Sequence, residues 1–385
     1  MSLVLRRPSS AALPGSQRLD VTPFLRAVDA SVHGAIDPAA LRAEGADPGS
    51  IVDFSSNQSP LGAAPGVAAA VAAAVVDAYP DPRAAGLVES LAARHGVPPR
   101  AVVAGNGSTE LIRLLAQLAL RPNDAALALA PAFGECAVGT ALAGGRLERV
   151  TLAHAGNGAG FRCDAPALRG ALDALRPRLC WLCSPNNPTG SVLPVALIAT
   201  LIEGHPETLF VLDEAYCDLL DLPQWSSELL AAGNLVVLRS MTKYWGLAGL
   251  RLGYAIADVS LAAPLRAAAP PWNVNACAQT AGEAALADLD HHARSIGLLR
   301  RERNRLVAAL RTQGWTVEPT SAGFFLIHVG DGAAVRAALL SRGCLVRDCA
   351  SFGLPEHVRV SPRHAQQNER LLAAFAAMAP PEVQQ

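Results

Sequence analysis

The chain has 385 residues, 51% hydrophobic and 17% charged, enough apolar side chain to fill a sizeable core, which excludes intrinsic disorder over most of its length. Its 32 Lys and Arg against 33 Asp and Glu leave a net charge of -1, which excludes the electrostatic footprint of a nucleic-acid binder and points to a small-molecule partner. The length suggests two lobes rather than one minimal domain.

The opening MSLVLRRPSSAALPG breaks its apolar run at Arg6 and Arg7 and lacks a signal-peptide pattern, so a cytoplasmic protein is expected. No apolar stretch is long enough for a membrane span. Residues 1–32 are expected to form an arm, 33–62 and 286–385 a smaller α+β lobe, and 63–285 a large α/β lobe with a mostly parallel central sheet. Short apolar runs at 101–104, 125–129, 179–183, 209–212 and 235–238 predict strands buried on both faces. Helical patterns at 110–120 and 194–203 lie between them, giving a βαβ rhythm whose ligands bind at the carboxyl ends of the strands. After Pro270-Pro271, residues 276–310 predict a long, interrupted helix, followed by strand and helix in alternation. Eight cysteines are scattered, and Cys180 and Cys183, the one C-x-x-C pair, sit in apolar surroundings that predict burial. No metal ligand set is expected, because no second pair stands at zinc spacing.

Four loops follow predicted strands and carry candidate chemistry. Gly105-Asn106-Gly107-Ser108-Thr109-Glu110 opens a helix, where backbone N–H groups and hydroxyls suit an anion, although an ordinary capped helix start has the same look. Asp213-Glu214-Ala215-Tyr216 puts a carboxylate at the ligand-bearing edge, where it needs a positive partner. Ser240-Met241-Thr242-Lys243 puts a lysine at the same edge, where loss of its proton would make it a Schiff-base nucleophile. Ser184-Pro185-Asn186-Asn187-Pro188-Thr189-Gly190 adds a rigid loop presenting an amide.

With GNGSTE, SPNNPTG, LDEAY and SMTKYWGLAGLRLGY in this order, the chain resembles the fold-type I pyridoxal-phosphate enzymes, the aspartate-aminotransferase superfamily. The resemblance implies that Lys243 bonds to pyridoxal 5'-phosphate, that Asp213 pairs with the ring nitrogen so that the ring can act as an electron sink, and that Asn187 and Tyr216 hold its phenolic oxygen. It implies a phosphate cup of Gly107, Ser108, Thr109, Ser240 and Arg251, with Phe133 stacked on the ring. Tyr79 would reach the cofactor phosphate of a neighbouring subunit, which implies a homodimer with shared active sites. Within the superfamily, His33-Gly34, DFSSNQSPLG, PWNVNA, VRDCASFGL and VRVSPRHAQQNERLLAA most resemble the threonine-phosphate decarboxylases of the cobalamin pathway. Gly246-Leu247-Ala248-Gly249 is closer to the histidinol-phosphate aminotransferases. His33, Arg347 and Arg359 match substrate-binding positions, suited to a substrate with two anionic groups. Arg363 and His364 are further candidates, while Trp272 and Asn275 are expected to pack. The first expectation is decarboxylation of L-threonine O-3-phosphate to (R)-1-aminopropan-2-ol phosphate. The alternative is transamination of histidinol phosphate or a related amino acid with 2-oxoglutarate. A regulatory protein that keeps the fold is disfavoured by Lys243 and by the lack of a basic helix-turn-helix segment.

Overall fold

A computed structural model describes residues 34–156, 158–220 and 225–381; the expected arm 1–32 and His33 lie outside them. A seven-stranded sheet contains β1 (Val102–Gly105), β2 (Ala125–Ala130), β3 (Arg146–Thr151), β4 (Leu179–Cys183), β5 (Leu209–Asp213), β6 (Leu235–Ser240) and β7 (Gly253–Ala257). Its order is β1-β7-β6-β5-β4-β2-β3, and every neighbour is parallel except β7, which is antiparallel to both β1 and β6. All five residues of β4, and all but the first of β5, are buried, as expected of near-continuous apolar strands covered on both faces.

The predicted strands are found, 179–183 at its predicted bounds and the others with ends shifted by at most two residues, and two strands of this sheet escaped prediction. In β3, RLERVT is largely exposed, the charged pattern that keeps an edge strand from pairing onward. In β7, GYAIA lies directly after a loop motif and carries no periodicity of its own. The helix predicted at 110–120 begins three residues earlier, at Gly107, and ends at Ala119, where Arg121-Pro122 opposes continuation. Leu111, Ile112, Leu115 and Ala116 form its buried stripe. Residues 194–203 become Val195–Gly204. The long C-terminal helix is two helices, Ala276–Ala287 and Leu289–Thr312, because the Asp288 carboxylate caps the second by accepting from the His291 N–H at 2.9 Å.

A second sheet is fully antiparallel: β8 (Thr316–Val317), β9 (Phe325–His328), β10 (Arg347–Asp348) and β11 (His357–Val360), in the order β8-β9-β11-β10. Its core joins Phe325, Ile327, Val358 and Val360 to Leu306 and Leu310 of the long helix and to Phe375. The early segment Val52–Asp53 pairs in parallel with Cys344–Leu345. Among the described residues no helix is long and apolar enough to cross a membrane. Cys180 and Cys183 are both buried in the sheet.

Candidate active site

The carboxyl ends of β4, β5 and β6 meet the second sheet around a cavity of about 510 Å³. Ser108, Thr109, Phe133, Asn187, Asp213, Tyr216, Lys243, Arg251, Arg347 and Arg359, scattered over 250 positions of sequence, all line it. Among the described lining residues, four cations face one carboxylate, Asp213. A cation-rich hollow of that kind favours an anionic occupant.

Asp213 ends β5, and its main chain is pinned by Cys183 on one side and Leu238 on the other. Burial pushes its carboxyl up to about 6, against the pull of the Ala215 N–H, which donates to Oδ1 at 3.0 Å, and of the Lys243 charge. The Lys243 ammonium is depressed to about 8, first by burial and then by the Arg251 and Arg359 charges. Burial also raises the Tyr216 hydroxyl to about 12, so it stays a proton donor, and it accepts from Asn57 Nδ2 at 3.1 Å.

The antiparallel strand β7 builds the anion cup. Gly253 stands in register between Gly105 and Ser240, bringing the helix start at Gly107–Ala119 beside the end of β6. A Cβ at Gly253 would lie 2.5 Å from the Ser108 nitrogen, so only glycine allows this approach. Gly107 takes φ +75, and a Cβ there would sit 3.1 Å from Arg251 Nη2. Arg251 itself is held at φ 60, a left-handed conformation costly for a residue with a side chain, and anchors Nη1 on the Ala248 carbonyl at 3.1 Å. Ser240 is buried and does not line the cavity; its Oγ lies 2.7 Å from the hydroxyl of Thr242, which does.

On the opposite wall, Arg347 of β10 and Arg359 of β11 are direct cross-strand partners. Like charges placed opposite one another destabilise a sheet, a cost that an anion between the two guanidiniums would offset. Arg359 donates to Asn187 Oδ1 and, at 2.8 Å, to the Ser55 carbonyl, while its buried Nε has no hydrogen-bond partner. Arg347 donates to Ser351 Oγ at 2.6 Å and lies over the Phe352 ring.

Several of the residues singled out in the sequence lie outside this chain's cavity. Tyr79 is 79% exposed, away from this chain's cavity, and stacks on Trp272 at 4.3 Å between ring centroids. Trp272, expected to pack, does so on Tyr79 in an exposed aromatic pair, while Asn275 caps the helix Ala276–Ala287. Arg363 does not line the cavity; it binds the Ser56 carbonyl at 2.7 Å and the Gln58 carbonyl at 3.4 Å, holding the loop that presents Asn57. His364 caps the last helix. Sequence reasoning missed Asn57, Thr242 and Phe352; the polar run Ser55-Ser56-Asn57-Gln58 beside Phe54 was the available signal for the first.

The residues suit pyridoxal phosphate: a depressed lysine amine, a buried acid without a full cationic partner, a glycine-lined anion cup, and an unpartnered Asn57 Oδ1. Known proteins agree with that reading. The sequence pattern of the family described as "Aminotransferase class I and II" matches residues 50–375. The chain is 40% identical over 332 residues to the histidinol-phosphate aminotransferase of Symbiobacterium thermophilum, covering 85% of this chain and 90% of that one. It superposes on the Sinorhizobium meliloti histidinol-phosphate aminotransferase in complex with pyridoxal-5'-phosphate with a TM-score of 0.80 at 24% identity, over 94% and 97% of the two chains. Against the L-threonine-O-3-phosphate decarboxylase of Porphyromonas gingivalis the TM-score is 0.72 at 28% identity, over 85% and 99%. The expected order of the two relatives is thus reversed, with the aminotransferases in front. A parallel sheet ending in a lysine, an acid and an anion cup, matched along most of its length to one sequence pattern, makes this chain a member of the class I and II aminotransferases, pyridoxal-phosphate-dependent enzymes of fold-type I.

Proposed function

We propose that this enzyme is an aminotransferase that exchanges the amino group of histidinol phosphate, or of a closely related phosphorylated amine, with 2-oxoglutarate. The observation that carries it is the 40% identity to the Symbiobacterium histidinol-phosphate aminotransferase over 85% of the chain. The geometry supports it too. One pair of guanidiniums, Arg347 and Arg359, can receive the phosphate of one substrate and a carboxylate of the other, because forked donors fit both oxyanions.

Pyridoxal phosphate, when bound, supplies an aldehyde that takes up the substrate amine and a ring that accepts the electron pair left at Cα. In this reading Lys243 would be the residue that bonds to that aldehyde and, once freed, would take the proton from the substrate Cα; an ammonium depressed to about 8 suits both roles near neutral pH. Asp213 holds a proton on the ring nitrogen, which gives its buried carboxylate the cation it lacks. Tyr216 and Asn187 would hold the phenolic oxygen, and Phe133 would pack against the ring. Gly107, Ser108, Thr109, Ser240 and Arg251 receive the phosphate, with Thr242 supporting Ser240. Asn57 positions the Tyr216 hydroxyl.

The same reading takes the enzyme as a homodimer in which Tyr79 reaches the partner's cofactor phosphate; its exposure beside Trp272 supports that. It also takes the chain as two lobes, 63–285 and 286–385 with 33–62, and places it in the cytoplasm, where eight free thiols suit a reducing compartment. Decarboxylation of L-threonine phosphate is the second reading, favoured by the likeness to the Porphyromonas decarboxylase. The test is to give the pyridoxal-phosphate-loaded protein histidinol phosphate with 2-oxoglutarate, and L-threonine phosphate separately. Glutamate formed without CO2 is the expected result; CO2 and an amine phosphate from threonine phosphate, without glutamate from the first mixture, would overturn the proposal in favour of the second reading.

A further inference from the structure

We infer that His154, Glu318 and His357 form a binding site for a divalent transition-metal ion of the Zn²⁺ type, apart from the cavity that holds Lys243. The three come from different elements: His154 from the hairpin strand Ala153–His154, Glu318 just after β8, and His357 at the start of β11. Their donor atoms all lie within 4.8 Å of one another. Glu318 Oε1 is 3.0 Å from His154 Nε2 and 3.7 Å from His357 Nε2. Four-coordinate zinc with bonds of about 2.0–2.1 Å places its ligand atoms roughly 3.4 Å apart, the middle of that interval. Two histidines and one carboxylate match the borderline character of Zn²⁺ and leave the fourth position to water.

Three further observations favour a cation here over a plain ion pair. His357 is fully buried, yet neither ring nitrogen has a hydrogen-bond partner, and the one facing Glu318 stands beyond hydrogen-bond reach. Its other nitrogen faces the Glu356 carboxylate at 3.5 Å, the outer support usual for a ligating histidine. Glu318 Oε2 is engaged by the Gly160 N–H at 3.0 Å, which fixes the carboxylate with Oε1 turned toward both histidines, hydrogen-bonded to His154 Nε2 and short of His357 Nε2. The His154 side chain is 35% exposed and provides the entry path, and it packs flat on Phe161 at 4.5 Å. A bound ion would clip the hairpin of Ala153–His154 and Phe161–Arg162 onto the C-terminal sheet. Sequence spacing gave no hint, because the ligands are separated by 164 and 39 positions.

The test uses untagged holoenzyme dialysed against Zn²⁺ or Co²⁺, with bound metal counted and the Co²⁺ visible spectrum recorded. One ion per chain is expected, with the spectrum of a four-coordinate site and a melting temperature that rises with metal concentration. His154→Ala, at an exposed position, should weaken binding by about 100-fold or more, beyond the roughly 10–100-fold that loss of a merely supporting residue gives. Glu318→Gln should do the same while keeping an acceptor for Gly160, and cofactor absorbance reports that both variants remain folded. Failure of the wild type to take up one equivalent, or equal affinity in His154→Ala, would overturn the site. If Glu318→Gln does not fold, His154→Ala decides alone.

Discussion

In the central sheet the chemistry-bearing side chains stand past the carboxyl ends of successive parallel strands, Asn187 after β4, Asp213 closing β5 and Lys243 after β6. In the C-terminal sheet Arg347 and Arg359 stand within two neighbouring antiparallel strands, opposite one another. The first arrangement follows from a general property of parallel sheets, whose crossovers gather their loops at one edge. The second depends on register: a one-residue slip of β10 against β11 would send one guanidinium to the other face. The difference teaches that the wall with Lys243 and Asp213 is built by topology and the wall with Arg347 and Arg359 by strand pairing.

That contrast can be broken by substitution. Lys243→Ala should abolish turnover, with a loss in kcat of about 10²–10⁴-fold from the proton-transfer role alone, and should remove the covalent cofactor absorbance. Asp213→Asn should cost about 10²–10³-fold in kcat with either substrate, since the buried negative partner of the ring is lost. Arg347→Ala should instead weaken binding of anionic substrates by about 2–5 kcal/mol, read as a raised KM with the cofactor spectrum unchanged. Should Arg347→Ala empty the cofactor site as Asp213→Asn is expected to perturb it, the two halves would not be separable.

The Lys243 amine provides a sharper probe of the central sheet. Only the neutral form attacks the aldehyde, and burial with two neighbouring guanidiniums has moved its titration down to about 8. Reloading of apoprotein should therefore speed up as pH rises through about 8 and fall about tenfold per unit below it. A midpoint near that of a free lysine would contradict the depressed amine. The smallest effect is expected at Tyr79→Phe, which removes one hydroxyl from an exposed site: about 1 kcal/mol in cofactor affinity if the partner subunit uses it, checked by equilibrium dialysis.

Much of the central sheet was legible because buried parallel strands write continuous apolar runs, and loops after them concentrate Gly, Pro, Asn and charge. LDEAY and SMTKYW each carry strand, edge and reactive group in a few consecutive residues. Strand β3 was not legible, because an exposed edge strand is written in charged residues, as in RLERVT. The role of Arg363 was also misjudged: an arginine in a motif context looks the same whether it meets a ligand or, as here, carbonyls of the Ser56–Gln58 loop.

By itself the sequence determined the fold class, through buried apolar runs, and the cofactor, through loop motifs that each carry strand, edge and reactive group in a few consecutive residues. Only the tertiary structure decided that Gly253 brings Ser240 beside the Gly107 helix start, that Arg347 faces Arg359, that Asn57 holds Tyr216, and that His154, Glu318 and His357 converge. Those contacts join residues tens to hundreds of positions apart, and strand register and side-chain packing, which leave no local trace along the chain, bring them together.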